Sequence, residues 1–315
     1  MRISRVGGVI AAADHKNTQQ QRSDAIPAIR RIIITFQQAG IFPIVIVTDA
    51  EDEAAKAQLS NYGVIFVRNT AEDTSELFSY VKAGLGFLAD NCDRVMFTPV
   101  KVPMFTSTTL LTMMEREEEI VIASHRMHGG HPVLIGRSAI PGILAYTGEN
   151  GLRGALSAGG FERTWVDVDD SGVLLKVNGY EELNARLEEH NAPVMHPVLH
   201  VRMEREEPFL NERLKTLLFL ISENYSIHKG CACTGLAYSK AWGMINQLEH
   251  NLGYAVVERK RGGKGGGGTC LTPDGERFLA AYQDFEETIH RIAQKEFRER
   301  FIDTNIIRAA DSDIR

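Results

Sequence analysis

At 315 residues, with a formal net charge of −6 and four cysteines, the chain is too long for one comfortable hydrophobic core, so two domains are expected. No apolar run is long enough to span a membrane, and the N-terminus MRISRVGGVIAAAD lacks the long apolar stretch and small-residue cleavage pattern of a signal peptide. No membrane partner is expected, the location is expected to be cytoplasmic, and Cys92, Cys231, Cys233 and Cys270 are read as reduced thiols.

Along the first 190 residues, short apolar, β-rich runs at 6–12, 43–48, 64–68, 94–98 and 119–123 alternate with helical segments. One of these, 24–38, carries Ile26, Ile29, Ile33 and Phe36 on one face. Such alternation predicts an α/β, doubly wound parallel sheet. Ligands of these folds lie at the carboxyl ends of the strands, above all after the first, which directs attention to Ala11, Ala12, Ala13 and Asp14.

The strings GGVIAAAD, QQAGI, FPIVIVTD, VMFTPVKVPMFTSTTL, GGHPVLIGRSAIPGILAYTGENGLRGAL and SGVLLKVNGYEEL run in the order found in the MobA-like or MocA-like NTP transferases of molybdenum-cofactor synthesis. The chain resembles that family over residues 6–190. The resemblance implies a nucleotide-diphospho-sugar-transferase-like fold and the transfer of a nucleotidyl group from CTP or GTP to a pterin phosphate. Charge builds on the transferring phosphoryl group, so that chemistry calls for Mg²⁺ held by carboxylates and for a basic residue at the phosphates.

The chain departs from the family at each of those places. Ala12 and Ala13 are followed by Asp14 where the family has glycine, and Asn17-Thr18-Gln19-Gln20-Gln21 replaces its Arg-Met-Gly region, leaving Arg22 near the expected lysine. Where a metal-holding aspartate precedes proline by two residues, this chain has Lys101 before Val102 and Pro103. A protonated lysine has no lone pair and repels Mg²⁺. Where the family reads Asp-Ile-Asp, the chain reads Lys176-Val177-Asn178. The fixed ammonium groups of Lys101 and Lys176 are expected in the place of the cation, so that a small anionic ligand, a nucleotide or molybdopterin-type compound, binds with no cofactor required.

By contrast Gly130-His131-Pro132 matches the family's Gly-His-Pro segment, and Thr147-Gly148-Glu149 to Arg153 matches its Gly-Asp-x-Gly-x-Arg turn with Glu149 for aspartate. The resemblance thus marks Ala12, Ala13, Asp14, Lys101, His131, Glu149 and Arg153 as ligand-binding positions. His125, His128 and His131 stand at three-residue spacing, but Gly129, Gly130 and Pro132 prevent a continuous helix, and no metal site is expected there.

A proline-bearing, charged stretch at 193–208 reads as a linker after a domain of residues 1–192, with a short edge strand at 200–204 as the other reading of part of it. Beyond it, 211–224 places Leu214, Leu217, Leu218 and Ile221 at helical spacing. Gly235 stands where a tight inter-helix turn needs one, and the helix after it begins near Ala237 with Ala241, Ile245 and Leu248 on its inner face. Then comes VERKRGGKGGGGTCLT, which puts Arg259, Lys260, Arg261 and Lys264 within six residues without an acid. From Lys229 to Arg277 seven Lys and Arg stand against four Asp and Glu, a local balance of +3. Flexible and basic, the glycine stretch suits phosphate. The order helix, short helix, turn, helix, strand, basic loop and strand predicts a mostly α winged helix-turn-helix. Tyr238, Ser239 and Lys240, at the start of the second helix of the motif, are the candidates for groove contacts, with Arg259, Arg261 and Lys264 for phosphates. Cys231 and Cys233, two apart on a helix, point in well-separated directions and are read as structural rather than as a metal pair.

The string YSKAW, an Asn-bearing helix, VERKRGGKGGGG and LTPDGERF resemble the DNA-binding domain of the ModE family, itself related to the LysR-type winged helix, over 210–285. The resemblance implies a dimeric transcription factor on double-stranded DNA with an inverted-repeat operator. The molybdate-binding domains that follow in that family are expected to be absent, with about thirty residues after Phe285, so the signal is expected to enter elsewhere. Phe278, Tyr282, Phe285, Ile289 and Ile292 recur at steps of four and three, the seam spacing of paired helices, and a homodimer is expected. The domain is drawn as 209–300, with a tail at 301–315.

Two functions follow. One is a transcriptional regulator whose degenerate nucleotidyltransferase domain senses a ligand of molybdenum-cofactor metabolism. The other is an active cytidylyl- or guanylyltransferase, dependent on Mg²⁺, fused to its regulator, with Asp14, Asp167, Asp169 and Asp170 replacing the lost carboxylates.

Overall fold

The apolar runs of the first half become neighbours in one sheet. A computed structural model describes residues 5–13, 19–48, 53–71, 77–189, 197, 199, 201–260, 268–302 and 304. In chain order it contains β1 (Val6–Ala11), α1 (Gln19–Gln38), β2 (Ile44–Thr48), α2 (Glu53–Leu59), β3 (Ile65–Arg68), α3 (Leu77–Leu88), β4 (Arg94–Pro99), α4 (Ser107–Met114), β5 (Ile120–His125), β6 (His128–Gly136), α5 (Ile140–Ala145), α6 (Gly151–Ala158), β7 (Arg163–Asp167) and α7 (Tyr180–Glu189). The strands lie in the order β3-β2-β1-β4-β6-β5-β7. Val9, Ile10, Val45 and Val95 are wholly buried, the pattern of strands covered on both faces.

One strand corrects the expectation of a parallel sheet. β1 runs parallel to β2 and β4, and β5 parallel to β7, but β6 is antiparallel to both β4 and β5. A two-residue turn makes this reversal: Arg126 and Met127 are both left-handed, at φ 49° and 65°, the conformation whose twist suits a tight hairpin. Neither residue is glycine, and Asp167 supports the turn, its Oδ1 accepting from Met127 N at 2.9 Å and from Ser124 Oγ at 3.1 Å.

The chain divides into two compact units, one of Met1–Glu51, Val67–Val198 and His290–Arg315, the other of Asp52–Phe66 and Leu199–Ile289. No boundary drawn from the sequence anticipates that the segment holding α2 groups with the later residues.

The later residues are mostly helical. A short pair, β8 (Met203–Glu204) and β9 (Pro208–Leu210), precedes α8 (Glu212–Ser222), α9 (Ile227–Thr234), α10 (Tyr238–Leu252), the hairpin β10 (Val257–Lys260) and β11 (Gly268–Leu271), and α11 (Pro273–Phe297). Asn211 starts α8, its Oδ1 accepting from Leu214 N at 3.1 Å, and Ser226 starts α9, its Oγ accepting from Lys229 N at 3.2 Å. The apolar face read from the sequence is there, yet α8 buries Lys215, Thr216, Phe219 and Leu220 as well. A helix covered on nearly every side is the centre of its unit.

α11 departs from a simple seam. Tyr282 turns inward, 1% exposed, and its hydroxyl donates to Val201 O at 2.6 Å. Phe285 and Ile292 face outward at 49% and 51% exposure. Among the described residues no helix is long and apolar enough to cross a membrane.

Candidate functional site

The carboxyl ends of β1 and β4 lie side by side, because Ala11 pairs with Pro99 and Val100 N donates to Ala11 O at 3.0 Å. Ala12 N donates in turn to Val47 O at 2.9 Å, so the first residues after β1 are pinned between β2 and β4. Lys101 follows at once, and its carbonyl accepts from Val177 N at 2.7 Å. That bond puts the backbone of residues 176–178 beside the end of β4, and Lys101 and Lys176 are both exposed.

His131 completes the group. Its ring meets Phe97 edge-on, with centroids 5.6 Å apart. Burial first, then the charge of Lys176, pushes its pKa down to about 4, so the imidazole is neutral near pH 7. Its Nδ1 is buried and without a hydrogen-bond partner among the described residues. Gly130 before it is required by close approach, since a Cβ there would lie 2.2 Å from Val173 O. That contact brings the 3₁₀ turn Ser171–Val173, and with it the stretch leading to Lys176, down on to β6.

Asp170 has a structural task. Its Oδ2 accepts from Thr106 N at 2.9 Å, Thr106 Oγ1 at 3.1 Å and Thr109 Oγ1 at 2.6 Å, and its Oδ1 from Gly172 N at 3.0 Å. It therefore ties the Ser171–Val173 turn to the start of α4. Burial lowers the pKa of the nearby Arg31 to about 10, with Asp170 opposing the shift, and Arg31 Nε donates to Pro103 O at 2.8 Å. Asp167 is engaged at the β5–β6 turn, as described above.

Mg²⁺ wants several oxygen ligands in near-octahedral array. Among the described residues no three His, Cys, Asp or Glu side chains form a group that could hold a metal ion, and the side chains of Lys101, Lys176 and His131 offer Mg²⁺ no oxygen ligand. Asp14 lies outside the described residues.

Glu149 and Arg153 belong to another corner. Tyr146 Oη donates to Glu149 O at 2.9 Å, and Gly151 packs near Phe78 of α3. Among the described residues neither side chain makes a hydrogen bond or ion pair with Lys101, His131 or Lys176.

The second candidate region is the start of α10. Gly235, left-handed at φ 64°, ends α9, and Leu236 N donates back to Cys231 O at 3.0 Å. Leu236, Ala241, Ile245 and Leu248 are buried, which turns Tyr238, Ser239 and Lys240 outward. Tyr238 packs edge-on against Trp242 at 6.3 Å and near His228 at 6.2 Å, leaving 48% of its surface exposed. Glu249 Oε1 accepts from Val256 N at 2.7 Å and Val257 N at 2.9 Å, fastening α10 to the hairpin. Arg259 pairs with Thr269 in the ladder; its side chain, and Arg261 and Lys264 altogether, lie outside the described residues. Cys231 is buried and Cys233 half-buried on α9, both as free thiols whose pKa values burial raises.

A mixed α/β sheet with its binding loops at the strand ends is a nucleotidyltransferase-like arrangement. Residues 7–164 match the MobA-like NTP transferase domain, and the chain belongs to that family. A nucleotidyl transferase from Methanothermobacter is 18% identical, with a TM-score of 0.48, across 58% of this chain and 96% of that one. The DNA-binding transcriptional dual regulator ModE of Escherichia coli is 36% identical over 93 residues, 30% of this chain and 34% of ModE. The molybdenum-pterin-binding protein MopB of Rhodobacter capsulatus is 34% identical over 92 residues, 29% of this chain and 34% of that protein. The chain thus spans about a third of the length of these curated relatives.

Proposed function

We propose that this chain is a DNA-binding transcriptional regulator of molybdenum-related genes in which a MobA-like domain serves as ligand sensor. The observation that carries the reading is α10: its first three residues, Tyr238, Ser239 and Lys240, face outward while Ala241, Ile245 and Leu248 anchor the helix. That is the presentation a recognition helix needs to enter a major groove. In this reading α9, the Gly235 turn and α10 are the helix-turn-helix, and the hairpin β10–β11 belongs to its wing. Likeness to ModE over 93 residues supports the same assignment. Phe285 and Ile292, exposed seven residues apart on α11, suit pairing with a second copy, and two half-sites require two recognition helices.

In this reading Lys101 and Lys176 take the place of the family's metal, a role supported by the backbone bond that joins their two stretches of chain and by the neutral His131 near Lys176. Two fixed ammonium groups attract a phosphate or similar anion without Mg²⁺. The ligand is a nucleotide or a pterin phosphate, in keeping with the family. Family membership also favours a second reading, a working nucleotidyltransferase. Calorimetric titration with CTP, GTP and a pterin phosphate separates the two. Binding that is unchanged by removing Mg²⁺, with no pyrophosphate released, is the expected result; strict Mg²⁺ dependence or pyrophosphate release from an NTP would decide for the enzyme.

A further inference from the structure

Arg213 makes a bridge that neither DNA contact nor ligand binding explains. Its Nη2 donates to Gly235 O at 2.8 Å and its Nη1 to Asn61 Oδ1 at 3.3 Å. Gly235 is the left-handed residue between α9 and α10, so its backbone sets the angle at which one helix leaves the other. Asn61 belongs to the 3₁₀ turn Ser60–Tyr62 that follows α2, inside the segment Asp52–Phe66 of the same unit. A planar guanidinium with fixed donor directions holds both at once, which a lysine cannot do.

The segment is fastened to α8 as well. Thr216 is wholly buried, with Oγ1 2.7 Å from Gly63 O and 2.9 Å from Glu212 O. Gly63 has φ +68°, and a Cβ on it would lie 2.8 Å from Glu212 Cβ and from Glu212 O. On the other side, a Cβ on Gly235 would meet Lys56 Cβ and Ser60 Cβ at 3.6 Å. Contacts as close as these, with a buried hydroxyl bonded across them, do not slide past one another; the segment moves with α8 and with the α9–α10 corner.

The same segment joins β2 to β3, and β2 touches the ligand loop. Val47 O accepts from Ala12 N at 2.9 Å, and Thr48 O accepts from Asn69 N at 2.7 Å. From the end of β2 the chain continues into the segment that holds α2.

We propose that Arg213 is a positioning residue that couples the α9–α10 corner to the connection between β2 and β3, so that a ligand at the end of β1 changes DNA affinity through that connection. This rests on the reading of α10 as a DNA reader and of the strand ends as a ligand site. Coupling is reciprocal, so DNA must act back on the ligand loop.

Hydrogen exchange on the full chain, with and without a DNA duplex taken from upstream of its own gene, tests this. In the natural sequence DNA changes exchange in α10, in residues 56–63 and in residues 11–13. Asn61→Ala removes only the far partner of the bridge. It is expected to keep the change in α10 and a DNA affinity within about twofold, while the change in residues 11–13 disappears. Arg213→Lys is expected to lose it too. Persistence of the change at residues 11–13 in both variants overturns the coupling, whereas no change in α10 of the natural sequence overturns the DNA reading beneath it.

Discussion

Replacing Lys215 by methionine lowers the stability of the helical unit by about 3–5 kcal/mol at pH 8, the cost of breaking a buried ion pair from one side. Lys215 is 5% exposed, and its Nζ lies 2.6 Å from Glu212 Oε2 and 2.7 Å from Glu286 Oε2. One ammonium thus serves two carboxylates, one on its own helix and one on α11. Burial works against the charge on Lys215, but Glu212 and Glu286, by charge and hydrogen bond, hold its pKa above the ordinary value. Methionine fills the space and leaves two buried acids facing each other. Chemical denaturation followed by circular dichroism measures the loss.

The acids also give the loss a pH dependence. Burial pushes Glu286 up to about 7 from an ordinary 4.5, with Lys215 opposing the shift and Glu212 adding to it. Its Oε1 has no hydrogen-bond partner among the described residues. Folding therefore takes up a proton between about 4.5 and about 7, and stability falls as pH rises through that window. Without Lys215 the carboxyl groups hold protons to higher pH still, so the methionine variant loses less at pH 5 than at pH 8. Equal losses at both values would show that the cluster is not ionised as described. Tyr282, raised by burial and then by Glu286 and Glu212, stays a hydrogen-bond donor throughout.

The second large effect is expected at the proposed wing. Substituting alanine for Arg259, Arg261 and Lys264 together removes three phosphate contacts and flattens the slope of log affinity against log salt by about 2.7, at about 0.9 per contact. Affinity falls alike for specific and non-specific duplexes, because phosphates carry no sequence. Tyr238→Ala, at the start of α10, should instead reduce the preference for one sequence over another, by about 1–3 kcal/mol if the ring reads a base edge. Fluorescence anisotropy at several salt concentrations distinguishes the two behaviours. An unchanged slope in the triple variant would remove the hairpin tip from the interface.

Much of the sheet was legible because its strands are short apolar runs that are buried on both faces, as at Val9, Ile10, Val45 and Val95. β6 was hidden by Gly129, Gly130 and Pro132, which punctuate a sequence read by propensity; its place depends on a turn of two left-handed residues, Arg126 and Met127, that no propensity marks. The family pattern set Lys101 and Lys176 at one site, and a backbone bond from Val177 N to Lys101 O lays the two stretches of chain side by side. Glu149 and Arg153 matched the same pattern, and among the described residues no hydrogen bond or ion pair links them to either lysine. Lys215 carries no signal in the sequence, because a lysine among leucines looks like the solvated edge of a helix. Its partner Glu286 stands 71 residues away, beyond the reach of any local spacing. Tyr282 fitted the seam by its step and faces the core, while Phe285 and Ile292 on the same helix face outward.

A mobility-shift titration at low salt, using DNA from upstream of the protein's own gene, tests the central claim most directly. A retarded complex is expected, with a midpoint that moves when GTP, CTP, a pterin phosphate or molybdate is added in the absence of Mg²⁺. Failure to retard any DNA at low salt would contradict the claim that this chain is a regulator that reads DNA.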